Sequence, residues 1–401
     1  MLYKLFPRMR VWTLKERQLS SRDGLVYLDR GMCVVGWMPP KDKCWRRIYA
    51  LWSALTTVMV MILLVLSLFI SYIKDLRSFT AGQFLTSLSV ALNCLGLSIK
   101  ASYTFAGMKR FQHAKKLLDR MDERCRSAEQ REQLHQNVAR CNRIYMCYQV
   151  MYCFYAASTF LAAACSGQLP WKIYNPLIDW RASDFNFWLA SFVEYVWMSG
   201  AVMQDQIADL YPIIYFLTLR THLLMLKQRL ERLRTDPRMS EDENYAELIK
   251  CIIDHRLIIE FCNTLKPVVS GTICVQFLLC GVVIGLSMIN IIYFSNFWTG
   301  LGIAFFICDL LMETFPFCYI CNMIITDCEQ LTNCLFHSNW QSADRRYKTT
   351  FLYFLQNIQQ PIVMTAGGVF VISLGTNITV AKLAFSVVTC ARQLNIAEKF
   401  S

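Results

Sequence analysis

Seven long apolar segments dominate this 401-residue chain and restrict what it can fold into. A helix that spans the hydrocarbon core of a bilayer needs about 20 mostly apolar residues, and each segment offers roughly that length. Charged residues make up only 17% of the chain, against about 25% in soluble domains. A soluble fold would therefore have too little charge to cover its surface. We predict an all-α, polytopic membrane protein with seven transmembrane helices at residues 48–70, 84–106, 144–165, 187–219, 267–294, 298–325 and 370–394.

The basic residues predict how these spans are oriented. Segments on one side of the predicted membrane hold 33 Lys and Arg residues, and those on the other side hold 6. Because cytoplasmic segments carry the excess of Lys and Arg, the N-terminus is predicted to be cytoplasmic and the C-terminus extracellular. This is the inverse of the topology of a G-protein-coupled receptor. No cleavable signal peptide is predicted, because the basic first 40 residues lack a hydrophobic core of the right shape.

The segment between the fourth and fifth spans, residues 220–266, has a helical pattern. Five leucines recur at spacings of 4, 3, 4 and 3, which is typical of one apolar helix face. Asp236-Pro237 breaks this pattern, and Ser240 with Glu243 forms a capping-box signature for a second helix. We predict a cytoplasmic helical hairpin, either a solvated amphipathic linker or a module for subunit assembly. The five leucines are Leu219, Leu223, Leu226, Leu230 and Leu233. A similar helix is predicted over residues 114–126.

Motifs for catalysis or metal binding are missing from the sequence. All five histidines fall in predicted cytoplasmic segments, and no protease, phosphate-loop or nucleophile-elbow pattern occurs. Cys318 and Cys321 form a CxxC on an apolar helix without a second pair, so we interpret them as packing thiols. We predict no catalytic residue, no metal and no cofactor. The basic cytoplasmic residues fit membrane topology and anionic lipid better than nucleic acid.

Charged residues inside the predicted spans are the main polar signal. Asp205 and Asp209 share a helix face at a spacing of four, and Asp309 and Glu313 repeat that spacing in the sixth span. Such groups normally face the bundle interior or water, so they either make structural hydrogen bonds or line a ligand pocket or ion path. Glu194 belongs to the same set. Lys382, near the start of the last span, is predicted to snorkel or to pair with a carboxylate.

Aromatic and small residues at helical spacing are candidates for the lining of a small-molecule pocket. Such a stripe also occurs in ordinary helix packing, so it does not establish a receptor by itself. The candidates are Val90, Asn93 and Cys94 in the second span, Tyr148, Tyr152, Tyr155 and Thr159 in the third, and Phe192, Tyr195, Met198, Ser199 and Val202 in the fourth.

Three stretches of the chain are similar to insect odorant receptors, in an order that covers nearly its whole length. The N-terminal stretch has Arg22-Asp23-Gly24, Gly36-Trp37 and Pro39-Pro40, and the outer loop has Pro170-Trp171 and Tyr174-Asn175-Pro176. The C-terminal third resembles the family signature through Phe336-His337-Ser338-Asn339-Trp340, Arg345-Arg346-Tyr347-Lys348, Gln359-Gln360-Pro361, Ala366-Gly367-Gly368 and Lys382 to Phe385-Ser386. The chain lacks the long insertion between the fourth and fifth spans that the shared coreceptor carries, so it resembles a ligand-tuning subunit.

The resemblance implies an odorant-gated, non-selective cation channel in which tuning subunits and coreceptor subunits form a tetramer in the plasma membrane of olfactory sensory neuron dendrites. The odorant pocket would lie in the outer half of the bundle, between the second, third, fourth and sixth helices. The last helix would line the pore with Thr389, Gln393 and Ala397. A tastant-gated relative and a G-protein-coupled receptor are the alternatives, and neither the odorant nor the subunit ratio follows from the sequence.

The implied domain organisation has six parts. They are the cytoplasmic segment 1–47, the odorant-binding bundle 48–219, the cytoplasmic hairpin 220–266, helices five and six at 267–325, the anchor segment of helix seven at 326–366, and the pore-lining helix with a short extracellular tail at 367–401.

Overall fold

The structure, a computed structural model, describes residues 6–14, 16–40, 45–75, 80–125, 127–165 and 167–393. The described chain is almost entirely helical. In chain order the α-helices are α1 (Val26–Val34), α2 (Arg46–Thr56), α3 (Val65–Asp75), α4 (Ala81–Ala106), α5 (Met108–Asp122), α6 (Ala128–Cys165), α7 (Asp184–Glu231), α8 (Glu241–Tyr293), α9 (Phe297–Phe336), α10 (Arg345–Ile358) and α11 (Leu374–Gln393). A π-helical segment, Thr57–Leu64, joins α2 to α3, and short 3₁₀ turns lie at Pro7–Met9, Ser21–Leu25 and Trp340–Ser342.

Four helical stretches are long and apolar enough to cross a membrane by length and composition, and this supports the all-α polytopic prediction. They are Arg46–Lys74, Ala81–Ala106, Glu241–Tyr293 and Thr299–Phe336. The helices at the third and fourth predicted spans, α6 and α7, are continuous but interrupted by polar and charged side chains. The last helix is a shorter apolar one. The count of seven crossings and their orientation remain predictions.

Four of the helices are much longer than a bilayer is thick. They contain 38 residues in α6, 48 in α7, 53 in α8 and 40 in α9. At about 1.5 Å per residue they measure roughly 57–80 Å, against about 30 Å for the hydrocarbon core. Each of them therefore extends well beyond the membrane.

The predicted hairpin is formed by the ends of α7 and α8. α7 continues to Glu231, and α8 begins after Ser240, whose hydroxyl accepts a hydrogen bond from the Glu243 N–H while the Glu243 carboxylate accepts from the Ser240 N–H. All five leucines of the predicted seam are at most 3% exposed. They lie in one core with residues of α8 and α10, among them Leu248, Phe261 and Phe351. The helix predicted at residues 114–126 is α5, which begins and ends earlier.

The N-terminal segment packs on this same core. Leu25, Leu28 and Met32 are buried in it. His135 of α6 accepts a hydrogen bond from the Leu19 N–H at 3.1 Å through Nε2, and its Nδ1 donates to the Trp12 carbonyl at 2.7 Å. Residues 1–47 were predicted as a separate cytoplasmic segment, and the described part of that segment packs on the same core as the helices.

The predicted start of the last span, at residue 370, is wrong. Phe370–Val371 forms strand β2, which pairs antiparallel with β1 (Thr365–Ala366) in a two-stranded ribbon, and α11 begins only at Leu374. Gly367 and Gly368, with φ of 60° and 76°, turn the chain between the strands. This left-handed conformation favours glycine, and the apolar character of residues 369–372 concealed the turn. Residues 326–336, assigned above to the anchor segment of helix seven, complete α9 instead.

Candidate functional site

A small cavity lies between α4, α6, α7 and α9 in the predicted membrane region. Its volume is about 40 Å³. Trp171, from the outer loop that precedes α7, also reaches it. The lining residues are Val90, Asn93, Cys94, Leu97, Tyr152, Tyr155, Trp171, Met198, Ala201, Val202, Asp205, Phe306, Asp309 and Glu313.

Seven of the twelve candidate ligand-binding residues line this cavity. Each of the three predicted stripes contributes to it, because the helices that carry them pack around one space. These residues are Val90, Asn93, Cys94, Tyr152, Tyr155, Met198 and Val202.

The other five candidates do not line the cavity. Tyr148 is buried, and its hydroxyl donates to the Met312 carbonyl at 2.9 Å. Thr159 and Ser199 are half-buried, and Tyr195 packs against Phe160 at a ring distance of 5.0 Å. Phe192 is 58% exposed on the outside of α7. Its predicted inward orientation is therefore wrong, since its side chain lies on the exposed face of the helix.

Beneath the cavity, Lys100 forms the centre of a buried charged cluster. The Lys100 side chain is 2% exposed, and its Nζ lies 2.6 Å from Asp205 Oδ1, 2.8 Å from Asp209 Oδ1 and 3.9 Å from Glu313 Oε2. A charge at membrane depth is stable only when it is paired. The cluster therefore joins α4, α7 and α9 by electrostatic attraction rather than by apolar packing alone.

Neutral side chains complete this cluster. The Tyr152 hydroxyl donates to Asp209 Oδ2 at 3.0 Å, and the Gln276 amide of α8 donates to the Glu313 carboxylate. Tyr152 and Glu313 also line the cavity. A movement of the cavity lining therefore changes the distances within these ion pairs.

Lys100 is not among the residues predicted above, although a single charge in an otherwise uncharged helix requires a counter-ion from another helix. Lys382, which was predicted to snorkel or to pair with a carboxylate, is exposed on α11 and forms no ion pair within the described ranges. The acidic residues of the fourth and sixth spans were predicted either to make structural hydrogen bonds or to line a ligand pocket or ion path. Asp205 and Asp209 pair with Lys100, and Asp205, Asp309 and Glu313 line the cavity.

Glu194 has a different role from the other acidic residues. Its buried carboxylate accepts hydrogen bonds from the backbone N–H groups of Trp171 at 2.9 Å and Ile173 at 2.8 Å. The outer loop is thereby fastened to α7, and this contact holds the Trp171 ring at the cavity.

The last helix is joined to the cavity through α9. The Asn377 amide of α11 donates to the Thr314 hydroxyl at 3.1 Å, and Thr314 follows the cavity residue Glu313. Asn377 is 8% exposed, and burial at this contact would oppose glycosylation of the sequon Asn377-Ile378-Thr379. Of the predicted pore residues, Thr389 and Gln393 are exposed on α11, and Ala397 lies outside the described residues.

Among the residues that the structure describes, two groups of side chains have donor atoms close enough to hold a metal ion. The carboxylates of Asp205, Asp209 and Glu313 lie within 4.8 Å of one another, but the Lys100 ammonium already supplies their positive charge. The second group is Asp122, Cys125 and His222, in the predicted cytoplasmic region.

The second group is held together by a serine. Ser21 donates to Asp122 at 2.7 Å, and its hydroxyl lies 2.9 Å from His222 Nε2. Burial lowers the pKa of His222 to about 4 and raises the pKa of Asp122 to about 6. This arrangement fastens the N-terminal segment to α5 and α7, and its hydrogen bonds are satisfied within the protein.

Helices long and apolar enough to cross a membrane pack around a small, partly open cavity with a mostly apolar lining. This arrangement defines a polytopic membrane protein with a candidate small-molecule site. Comparison with known proteins makes the class specific. A family profile described as 7tm Odorant receptor matches residues 80–385, and this chain belongs to that family, the insect odorant receptors.

Individual relatives agree over nearly the full length. Odorant receptor 42b of Drosophila melanogaster is 50% identical over 383 residues, which are 96% of each chain. Odorant receptor 22a of the same organism is 47% identical over 400 residues and covers all of both chains. In fold, the chain is similar to the olfactory receptor OR5 of Machilis hrabei, with a TM-score of 0.78 at 14% identity over 93% of this chain and 98% of that one. OR5 has also been solved in complex with eugenol, with the same TM-score.

Proposed function

We propose that this chain is the ligand-tuning subunit of an odorant-gated, non-selective cation channel, and that volatile molecules bind in the cavity between α4, α6, α7 and α9. The observation that carries the proposal is the cavity itself, which lies where the sequence stripes converge in a member of the odorant receptor family. The eugenol complex of OR5, a protein of the same fold, supports a small aromatic or aliphatic ligand.

The size of the cavity determines how a ligand enters. A volume of about 40 Å³ holds roughly three water molecules, whereas a volatile of about ten heavy atoms needs a volume several times larger. Flexible lining side chains such as Met198 and Leu97 must therefore move when the ligand binds. At about 0.5–0.7 kcal/mol per heavy atom, ten atoms contribute about 5–7 kcal/mol, or a Kd of roughly 10–200 µM.

Gating requires that the ligand binds the open state more tightly than the closed one. Phe306, Asp309 and Glu313 place α9 against the ligand, and the hydrogen bond between Thr314 and Asn377 connects α9 to α11. In this mechanism the enlarged cavity displaces α9, and α11 follows and widens the pore beside Thr389, Gln393 and Ala397. Coreceptor subunits complete the tetramer in the plasma membrane of the sensory dendrite.

The test is to co-express the chain with an insect odorant coreceptor and to apply volatiles to excised patches without GTP. A rapid cation current that needs both subunits supports the proposal. A current that needs GTP, or no current to a broad panel despite assembly at the cell surface, contradicts it.

A matched pair of variants locates the site. Met198→Trp fills the cavity and is expected to change the response spectrum. Phe192→Trp adds similar bulk to the outside of the same helix and is expected to leave the spectrum unchanged. Equal effects of the two variants would place the site elsewhere.

A further inference from the structure

The lining of the cavity is divided into an apolar wall and a polar end. The wall consists of aliphatic and aromatic side chains, among them Val90, Leu97, Met198, Val202 and Phe306. The polar members are Asn93, Tyr152, Tyr155, Asp205, Asp309 and Glu313. A ligand that fits this division has a hydrocarbon body and a single polar group.

Three of the polar residues already have partners in the protein. Tyr152 donates to Asp209, Asp205 pairs with Lys100, and Glu313 accepts from Gln276. These groups support the charged cluster, and a ligand would have to break its contacts to use them.

Asn93 and Asp309 are different. The Asp309 Oδ1 atom is buried and has no hydrogen-bond partner within the described chain, and the Asn93 side chain makes no hydrogen bond there either. Asn93 comes from α4 and Asp309 from α9, and both line the same small space. Because buried polar atoms are normally paired, the buried Asp309 Oδ1 atom lacks a partner that a ligand can supply. The half-buried Asn93 amide and the Tyr155 hydroxyl, neither of which makes a hydrogen bond within the described residues, are also available to a ligand.

We infer that Asn93 and Asp309 bind the hydroxyl group of an uncharged volatile whose hydrocarbon body packs on the apolar wall. A hydroxyl is both a donor and an acceptor, so it can donate to the Asp309 carboxyl group and accept from the Asn93 amide. An ether or an alkane of the same shape leaves Asp309 unpaired. An ammonium group would be attracted to the Asp309 carboxyl group but would lose its hydration in so small a space, so amines are the competing class that the experiment includes.

This inference rests on the proposed function, and it makes Asn93 and Asp309 the residues that determine head-group specificity. The experiment uses the complex of this chain with the coreceptor and a panel of alcohols. Each alcohol is paired with its methyl ether, with the alkane of equal length and with the corresponding amine. The readout is the ratio of half-maximal concentrations within each set, which cancels differences in expression.

In the wild-type complex, the activating alcohols are expected to be about tenfold more potent than their ethers, the fold-change that corresponds to one hydrogen bond. Asp309→Leu and Asn93→Leu should bring this ratio close to one. Asp309→Asn retains an acceptor and should keep most of the preference. Val202→Ile is the matched control, because it changes the volume of the same cavity without changing its polarity and should shift all ligands alike.

Each outcome of this experiment supports or overturns the inference. Ethers or alkanes as potent as the alcohols in the wild type, or an unchanged ratio in Asp309→Leu, would overturn the inference while leaving the odorant-gated channel intact. The same conclusion would follow if amines were the most potent ligands. A complex that reaches the surface but responds to no volatile would instead contradict the proposed function.

Discussion

At the scale of single residues, the buried ammonium of Lys100 forms the ion pairs that join α4, α7 and α9. It lies within 4 Å of three carboxyl groups from two other helices. Removing one partner of a buried ion pair leaves the other charges unpaired. The free-energy cost of that change exceeds the stabilisation that the intact pair provides. Lys100 is therefore a structural residue at the floor of the ligand cavity.

Replacing this lysine tests that role. We expect Lys100→Met to lower the stability by about 3–5 kcal/mol, because Asp205, Asp209 and Glu313 then face one another without a cation. The measurement is the thermal unfolding of the purified protein in detergent. Lys382→Met removes an exposed lysine from α11 and should change the stability by no more than about 0.5 kcal/mol. Similar melting curves for both variants would show that the cluster does not stabilise the bundle.

A second prediction at this scale concerns the pH dependence of folding stability through His255. It packs edge-on against Phe354 of α10 at a ring distance of 5.7 Å, and burial lowers its pKa to about 4. In the unfolded chain a histidine titrates near 6.5, so the unfolded state binds more protons between these two values. The stability that neutral His255 contributes is therefore fully present above pH 6.5 and is lost as the pH falls toward 4.

We expect the protein to lose about 1–2 kcal/mol of stability through His255 between pH 7 and pH 5. In His255→Gln this part of the pH dependence should disappear. His337→Gln, at an exposed histidine beyond α9, serves as the control and should retain it. Unfolding curves at several pH values make the comparison, and parallel pH profiles for wild type and His255→Gln would refute the prediction.

At the scale of elements, the hairpin between α7 and α8 follows from local signals. The 4-3-4-3 leucine spacing and the Ser240–Glu243 capping box each act within one or two turns of helix, so the sequence predicts them correctly. The start of α11 was missed because it depends on contact with a distant helix. The Gly367 N–H donates to the Ser270 carbonyl of α8 at 3.0 Å, and a Cβ on Gly367 would lie 2.8 Å from Cys274 Sγ.

The leucine seam makes an element-scale prediction. Leu226 is fully buried between the helices, and Leu226→Ala is expected to cost about 2–5 kcal/mol through lost burial and the cavity that remains. Leu352 of α10 is 52% exposed, so Leu352→Ala should have little effect. Chemical or thermal unfolding of the two variants gives the comparison, and a solvated linker would show equally small effects at both sites.

At the scale of the whole molecule, the charge distribution predicts the orientation. The excess of Lys and Arg on one side of the predicted membrane predicts a cytoplasmic position for the hairpin, α5, α10 and the N-terminal segment, which share one core. Cavity-lining residues such as Leu97 and Tyr152 belong to the same continuous core.

Epitope labelling tests this orientation. A tag at the C-terminus should be stained on intact cells, and a tag at the N-terminus only after permeabilisation, because the basic segments remain in the cytoplasm. Tags inserted after Asp236, in the turn between α7 and α8, provide an internal control and should behave like the N-terminal tag. A C-terminal tag that requires permeabilisation would contradict an odd number of crossings.

The sequence by itself determined the membrane class, the helical content and the hairpin. These features follow from composition and from periodicities within single helices. The resemblance to odorant receptors, which is carried by short stretches of the chain, implied which helices surround the pocket. Seven residues of the predicted stripes line the cavity, because an inward helix face is a local property.

Only the tertiary structure decided which inward faces share the cavity and which charges meet. Phe192 faces outward although its spacing fits the stripe, because the rotation of α7 depends on its neighbours. Lys100 and Asp209 are 109 positions apart in the sequence, and their pairing depends on how α4 and α7 pack. The hydrogen-bond partners of Tyr152 and Asn377 lie 57 and 63 positions away, and those of Glu194 lie 21 and 23 positions away. Such contacts exist only once the helices are assembled.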